Sequence, residues 1–437
     1  ATNCAHEPGG LSLTRPFGSP SPGGRGKVGA ASGRRFMGRV GVRAYSLQTN
    51  SSMNRNMTRS KLSIAIIGAG MGGLAVAATL RKFGFNVRVY EQASRFARIG
   101  AGIQMMPNSM KVLRGIGVEE RLRRVAFPPY SHLNRVWDTG EITNELPMPD
   151  TLYGAPYLCM HRADLHDALA SVVPPEIIHL NKELVGLERR AGKVTLGFAD
   201  GTRATADAVI GADGVHSVVR EILLGPEKPL HKGRVAYRAV FPSSLVGRDL
   251  GLSRTKWWGR DRHIVIYYTT NNRSEVYFVT SVPEPAEWMT RESWSAKGDV
   301  RQLRQAYEGF HADVRAVLEG CPDCHKWAIL EREPLARWSE GQVVLLGDSC
   351  HPMTPYMAQG AATSIEDAAI LARCLDDTDG EDIDGAFRRY EESRKPRTSR
   401  IQAISSANTW MRTGEADTSW LYGYDAWNVP LSEPALS

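Results

Sequence analysis

Residues 63–73 read Ser63-Ile64-Ala65-Ile66-Ile67-Gly68-Ala69-Gly70-Met71-Gly72-Gly73. The apolar run fits a buried strand, and the Gly68-x-Gly70-x-x-Gly73 spacing fits a tight turn into a helix. A second strand, Val87-Arg88-Val89-Tyr90, ends on Glu91. Each part has a job in holding a dinucleotide. Gly68 permits the turn, and Gly70 lets the backbone approach a pyrophosphate. Gly73 lets the helix pack close to the sheet, and Glu91 can take ribose hydroxyls. The pyrophosphate would rest on free N–H groups at the positive end of the helix. Leu62 to Leu80 carries no charge for nineteen residues, long enough for a membrane span. Its glycine density and the acid closing the second strand favour the turn.

Two later segments repeat the pattern of a buried strand ending in an acid. Ala208-Val209-Ile210-Gly211 runs into Ala212-Asp213-Gly214, and His216-Ser217-Val218-Val219-Arg220 then opens a helix. Gln342-Val343-Val344-Leu345-Leu346 runs into Gly347-Asp348, followed by His351-Pro352-Met353-Thr354-Pro355 and a helix from Gly360 and Ala361. An acid at the C-terminal end of a parallel strand stands in the crevice where such sheets bind ligands. Between them, His263–Tyr268 and Glu275–Val279 are β-rich and joined by Asn271-Asn272-Arg273-Ser274, which reads as an antiparallel hairpin. Phe387 onward reads as a long polar helix acting as a brace. The aromatic tail Trp420–Trp427 reads as packed against the body, since exposed it would be an aggregation liability.

The chain has 437 residues and a formal net charge of +7, which looks like a nucleic-acid or membrane footprint. It is not one. Residues 1–60 hold nine Lys or Arg against the single acid Glu7, so everything after residue 60 sums to −1. This Gly-, Ser-, Pro- and Arg-rich leader lacks apolar periodicity and is expected to be disordered. It suits a mitochondrial transit peptide with a processing site at Arg43-Ala44-Tyr45-Ser46, or upstream sequence translated ahead of a natural start at Met57. The first reading places the protein in mitochondria and the second in the cytoplasm. Six scattered cysteines give no disulfide framework. Cys321-Pro322-Asp323-Cys324-His325 fits a haem-attachment or half-zinc pattern, but without a second CxxC it reads as a surface loop with incidental cysteines.

The three strand-and-turn motifs resemble those of the group A flavoprotein aromatic hydroxylases, the para-hydroxybenzoate and salicylate hydroxylase family. That family has GxGxxG near its start, a central DG, and a late GD before a proline-bearing helix start. The resemblance implies an α/β fold. A GxGxxG FAD-binding, Rossmann-like domain is interleaved with a β-rich substrate domain and followed by a C-terminal helix. The implied division is leader 1–60, FAD-binding part 61–230 with a substrate-domain insertion, β-sheet substrate domain 231–335, GD part 336–385, and helix and tail 386–437. By likeness Glu91 meets the adenosine ribose and Arg162, within His161-Arg162-Ala163-Asp164-Leu165, faces FAD. Asp348 holds the ribityl chain and Asp213 supports the DG segment, where a helix cap is its plainer role. Gly360 and Ala361 aim N–H groups at the reduced ring, on an approach that Pro352 and Pro355 stiffen. FAD is the implied cofactor, NAD(P)H and O₂ the co-substrates, and no metal is implied. A small aromatic acid is the expected partner, with no nucleic acid and no membrane span; a homodimer is left open.

Within the family the likeness is to 6-hydroxynicotinate 3-monooxygenases and fungal decarboxylating 4-hydroxybenzoate 1-hydroxylases. Lys256-Trp257-Trp258, Asp261-Arg262-His263, Tyr267–Thr270, His351-Pro352-Met353, Met357–Gly360 and Trp420–Asp425 carry it. It implies that the ring carbon bearing the carboxylate gains OH and loses CO₂. His263 and Tyr267 are the expected catalytic pair at the ring hydroxyl. A His titrates near about 6.5 and a Tyr near about 10, which makes His263 the proton acceptor and Tyr267 the hydrogen-bond partner. Gln104, Arg254, Pro355 and Tyr356 are the expected substrate contacts. Gln104, Tyr356 and Arg254 stand where the hydroxynicotinate pattern has His, His and Cys. Gln cannot carry a proton, so a 4-hydroxybenzoate-type ring, substituted or not, is expected over 6-hydroxynicotinate. 6-Hydroxynicotinate 3-hydroxylation and salicylate hydroxylation remain alternatives, and a non-catalytic FAD-binding module is the rival from another class.

Overall fold

The computed structural model describes residues 61–433 except Ile99, Lys228, 285–295, 379–380 and 412–416. The basic leader, with Arg43–Ser46 and Met57, lies outside the described residues. Strand Ser63–Ile67 forms the middle of a six-stranded sheet, flanked in parallel by Asn86–Tyr90 and Ala208–Gly211. Val343–Leu345 pairs in parallel with Ala208–Gly211, so both acid-ended strands finish on the same edge as the glycine turn. Ile178–His179 and the antiparallel Ser339–Glu340 close the two sides. Ile64, Ile66, Val89, Val209 and Ile210 are fully buried. That explains the near-continuous apolar runs, because a parallel sheet is covered on both faces. Each such side chain contributes roughly 1.5–3 kcal/mol by burial. The uncharged Leu62–Leu80 run is therefore a strand, a turn and the first turns of helix Met71–Lys82, not a membrane segment. Among the described residues no helix is long and apolar enough to cross a membrane.

An eight-stranded sheet makes the second layer. Its order is Lys297–Gly298, Cys324–Glu331, Leu230–Pro242, Glu275–Pro283, His263–Tyr268, Arg254–Trp258, Ser131–Val136 and Ile142–Pro147. His263–Tyr268 and Glu275–Pro283 pair antiparallel as the hairpin reading expects. A two-stranded ribbon, Gly102–Met105 with Leu158–His161, brings Gln104 beside this sheet and leads directly into helix Arg162–Ala170. A three-stranded antiparallel sheet spans Leu184–Arg190, Lys193–Phe198 and Arg203–Ala206.

The polar run after residue 382 is one helix, Ile383–Ala407, and it braces through buried charge as well as through the buried Ala386, Phe387, Tyr390 and Ile401. Arg394 is fully buried and bonds Asp367 Oδ1 at 2.6 Å and Glu366 Oε2 at 2.7 Å, both on helix Gly360–Asp377. Arg397 holds the other Glu366 oxygen at 2.8 Å. Burial raises both carboxyls, but the arginines, with His351 beside Asp367, outweigh it and hold them below their ordinary values. Leu421, Tyr422 and Ala426 of the aromatic tail are buried, as expected. The CxxCH reading needs correction. Cys321 and Cys324 are buried, Cys324 begins a strand, and burial pushes their thiols up to about 12 and about 11. They are core residues, not a surface loop.

Candidate active site

Gly68 has φ +98° and donates its N–H to Tyr90 O at 2.8 Å. A Cβ on Gly73 would fall 1.9 Å from Gly68 O, so only glycine lets the helix leave the turn here. Gly70 differs: nothing lies within 4 Å of the place its Cβ would take. Its backbone faces an open trough of about 280 Å³ walled by Glu91, Asp213, Gly214 and His216. Glu91 accepts the N–H groups of Ala69 at 2.7 Å and Ala93 at 2.8 Å, so the acid shapes the turn as well as facing the trough. Asp213 accepts Ser217 Oγ–H at 2.5 Å, Val219 N–H at 3.1 Å and Ser349 Oγ–H at 3.1 Å. Ser349 Oγ in turn accepts Gly214 N–H at 2.9 Å. Asp213 thus both starts helix Val218–Leu224 and stitches the DG turn to the GD turn.

The trough shares Gly70, Ala212 and Gly214 with a larger cavity of about 340 Å³. Arg162, Asp348, Pro355, Gly360 and Ala361 line that cavity. Arg162 and Asp348 are open to it yet ringed by protein. The surroundings lower the guanidinium, with Asp348 opposing. They raise the carboxyl, with His351 and Arg162 opposing. The GD turn is held from behind. Asp367 accepts Gly347 N–H at 3.1 Å and bonds His351 Nε2 at 2.6 Å. Cys350, His351 and Asp367 bring metal-type ligand atoms within 4.8 Å of one another, but Arg394 already neutralises that carboxylate. Helix Gly360–Asp377 begins at the cavity wall, where its first N–H groups lack intrahelical partners.

The eight-stranded sheet roofs the cavity with alternate side chains of one face, and register sorts them. Tyr267 stands opposite Tyr277, Val265 opposite Val279 and His263 opposite Ser281. Arg238 stands opposite Val279, and Ala236 opposite Trp327. Tyr267, Tyr277, Val279, Arg238 and Trp327 face the large cavity. Arg238 lies 4.5 Å over the Trp327 ring, and burial brings its guanidinium down to about 10, still charged at neutral pH. Further along, Arg254 and Lys256 pair with His132 and Asn134, and these four face a small cavity of about 20 Å³. Gln104 and Ala358 are walls of both cavities.

The expected catalytic pair is not brought together. Positions 263 and 267 point to the same face, but four residues of strand separate them by about 13 Å. Tyr267 lines the large cavity, whereas His263 lines a separate, basic pocket beside Tyr356, their rings 5.4 Å apart edge to face. Tyr356 bonds Ser281 Oγ at 3.0 Å and walls the small cavity and the basic pocket, not the large one. Burial pushes the Tyr267 phenol well up, Tyr277 adding to it and a Gln104 hydrogen bond opposing. Gln104 Oε1 accepts Tyr157 O–H at 2.6 Å.

A long trough of glycine turns, an acid at one end, and a cation and helix start at the other suits a flavin dinucleotide. Comparison with known proteins agrees. Residues 61–405 match the FAD binding domain family. The chain is 46% identical over 378 residues to the 6-hydroxynicotinate 3-monooxygenase of Pseudomonas fluorescens, covering 85% of this chain and 97% of that one. The chain belongs to this FAD-binding family of aromatic-ring monooxygenases. It is also 38% identical over 349 residues to the 3-amino-4-hydroxybenzoate 2-monooxygenase of Streptomyces cremeus, covering 79% and 86% of the two chains. The structure of Klebsiella pneumoniae HpxO complexed with FAD and uric acid matches with TM-score 0.72 and 25% identity, over 80% of this chain and 88% of that one. In this FAD-dependent monooxygenase, sequence reasoning missed Ser349, Asp367, His132 and Lys256. A Ser after GD was the only available hint for Ser349. The other three depend on strand register or on a partner far away in the chain.

Proposed function

We propose that the enzyme hydroxylates a 4-hydroxybenzoate-type aromatic acid at the carbon bearing the carboxylate, releasing CO₂ and a hydroquinone. One observation carries the reading: Arg254 is buried, and among the described residues its Nε has no hydrogen-bond partner and no acid pairs with it. An uncompensated buried charge costs several kcal/mol. No acidic side chain lines the small cavity among the described residues, and His132 there is kept neutral, burial and then Arg254 holding it well below 6.5. A substrate carboxylate supplies the missing partner, at roughly 1.5–3 kcal/mol for a charge-assisted bond. The cavity of about 20 Å³ admits a carboxylate but not a ring. The ring then lies in the large cavity, past Gln104 and Ala358.

When bound, FAD reduced by NAD(P)H supplies one electrophilic oxygen atom from O₂. The chain must make the ring electron-rich. Tyr267, one pair beyond Thr255–Ile266 in register and so beside Arg254, stays protonated and donates to the ring oxygen. Arg238 adds a cation to the same cavity, which favours the phenolate. With His263 outside that cavity, the ring-hydroxyl contact falls to Tyr267. Tyr277, Val279 and Trp327 exclude water. In balance, the substrate carboxylate, NAD(P)H, O₂ and two protons give the hydroquinone, CO₂, NAD(P)⁺ and water.

A second reading, 6-hydroxynicotinate, is favoured by the 46% identity to an enzyme whose name puts oxygen at ring position 3, the carboxylate position of nicotinate. The test is a panel of 4-hydroxybenzoate, 6-hydroxynicotinate and salicylate with each nicotinamide donor, measuring O₂ uptake, CO₂ release and product. One CO₂ per NAD(P)H with 4-hydroxybenzoate is expected. Coupled turnover of 6-hydroxynicotinate alone would move the assignment to the second reading, and hydroxylation without CO₂ would overturn both.

A further inference from the structure

The basic pocket, about 320 Å³, adjoins both substrate cavities but belongs to neither. Trp258 and His263 supply its sheet wall, Arg234 and the Gly259–Arg262 loop its rim, and Thr354 and Tyr356 its floor. Thr354 is also a wall of the large cavity, and Tyr356 of the small one. The pocket is strongly basic. Arg262 pairs with Asp261 at 2.7 Å, and Lys232 with Glu331 at 3.2 Å. Arg234 and Arg260 have no carboxylate partner among the described residues. Arg234 donates to Ser281 Oγ at 2.6 Å and to the Asp261 and Ser281 carbonyls, and Arg260 stands exposed, 6.0 Å from the Trp137 ring. Ser281 Oγ is the same atom that meets the Tyr356 hydroxyl at 3.0 Å. One of the two cations is thus linked to the side chain that divides the basic pocket from Arg254.

We propose that this pocket is an anteroom: it captures the aromatic carboxylate from solvent on Arg260 and Arg234 and passes it between Tyr356 and Thr354 into the large cavity, where the ring comes to rest and the carboxylate reaches Arg254. The inference rests on the reading of an aromatic acid as substrate. Its physical basis is a gradient of uncompensated positive charge leading inward, with an aromatic wall that accepts a ring at each stage. Anions are steered into such a funnel, and the effect is screened by salt. A nicotinamide donor fits the pocket less well, because neither the glycine turn nor Asp348 borders it.

The test is stopped-flow association of 4-hydroxybenzoate and 6-hydroxynicotinate with the FAD-loaded enzyme, read by flavin absorbance, with neutral 4-hydroxybenzamide as control. Arg260→Glu should slow association of the acids about five- to tenfold at low salt, the size of a two-charge change across several ångströms of water. Dissociation, and binding of the amide, should be unchanged, and the slowing should shrink at high salt. Tyr356→Phe, which loses the Ser281 bond, should raise association and dissociation rates together. The proposal is overturned if Arg260→Glu leaves association of the acids unchanged, or slows acid and amide alike. It is also overturned if Tyr356→Phe raises dissociation alone, which would make Tyr356 a plain substrate contact. Because binding is read apart from turnover, an acid captured normally but converted to another product refutes the proposed reaction and not the anteroom.

Discussion

The trough between Gly68 and Gly214 is framed by turns at whose Gly68 and Gly73 an added Cβ would strike backbone. The eight-stranded sheet instead presents alternate side chains, each placed by the strand beside it. The trough is therefore intolerant of added atoms at those two positions, and its acids act by holding the turns. The sheet face can change residues freely, provided register is kept, and each change alters what binds. This difference lets one cofactor frame serve many substrates.

The sharpest way to break the contrast is Gly73→Val. Its Cβ would meet Gly68 O at 1.9 Å, so the variant should be colourless or fail to fold, read by flavin absorbance and thermal melting. A yellow, stable variant would show that the turn is not the constraint. Next in size is Asp367→Asn, which breaks the buried pair with Arg394 and loosens Gly347. Loss of about 3–5 kcal/mol is expected from denaturant unfolding, with weaker FAD retention. The pH dependence follows in sign. Asp367 and Glu366 have depressed folded values, so their stabilisation is complete above the unfolded values near about 4 and is lost as pH falls through the lower folded values. Asp367→Asn should remove part of that acid dependence.

On the sheet the expected effects fall on substrate alone. Arg254→Met should weaken binding of the aromatic acid by roughly 10- to 100-fold while FAD stays bound. Its melting temperature should hold or rise, since a buried charge without a partner is removed. Loss of flavin instead would erase the distinction between the two regions. Tyr267→Phe should lower kcat about tenfold. The alkaline limb of its pH profile should not move up to about pH 9, because burial already keeps the phenol protonated. The smallest effect concerns Ala358, which bridges the two regions with φ +53°. Relief of about 1–2 kcal/mol of left-handed strain, offset by glycine's roughly 0.5–1 kcal/mol of chain entropy, leaves Ala358→Gly slightly more stable by thermal melting.

Much of the cofactor half is legible in the chain because its chemistry is local. Gly68, Gly70 and Gly73 sit within six residues, and Glu91 closes the next strand. Asp213 and Asp348 each follow their own apolar run, so spacing alone places them at the crevice. The long helix could be read as a brace, yet Arg394 reaching Glu366 and Asp367 could not, since the partners lie about one helix and one turn away.

The sheet face is another matter. Strand alternation told that His263 and Tyr267 share a side, but not that separate cavities open beneath them. Nor could spacing show that Arg254 and His132 would meet, because they are joined only by the parallel pairing of strands more than a hundred residues apart. Turn chemistry depends on neighbours along the chain and is written there. Pocket chemistry depends on neighbours across strands, and those exist only once the register is set.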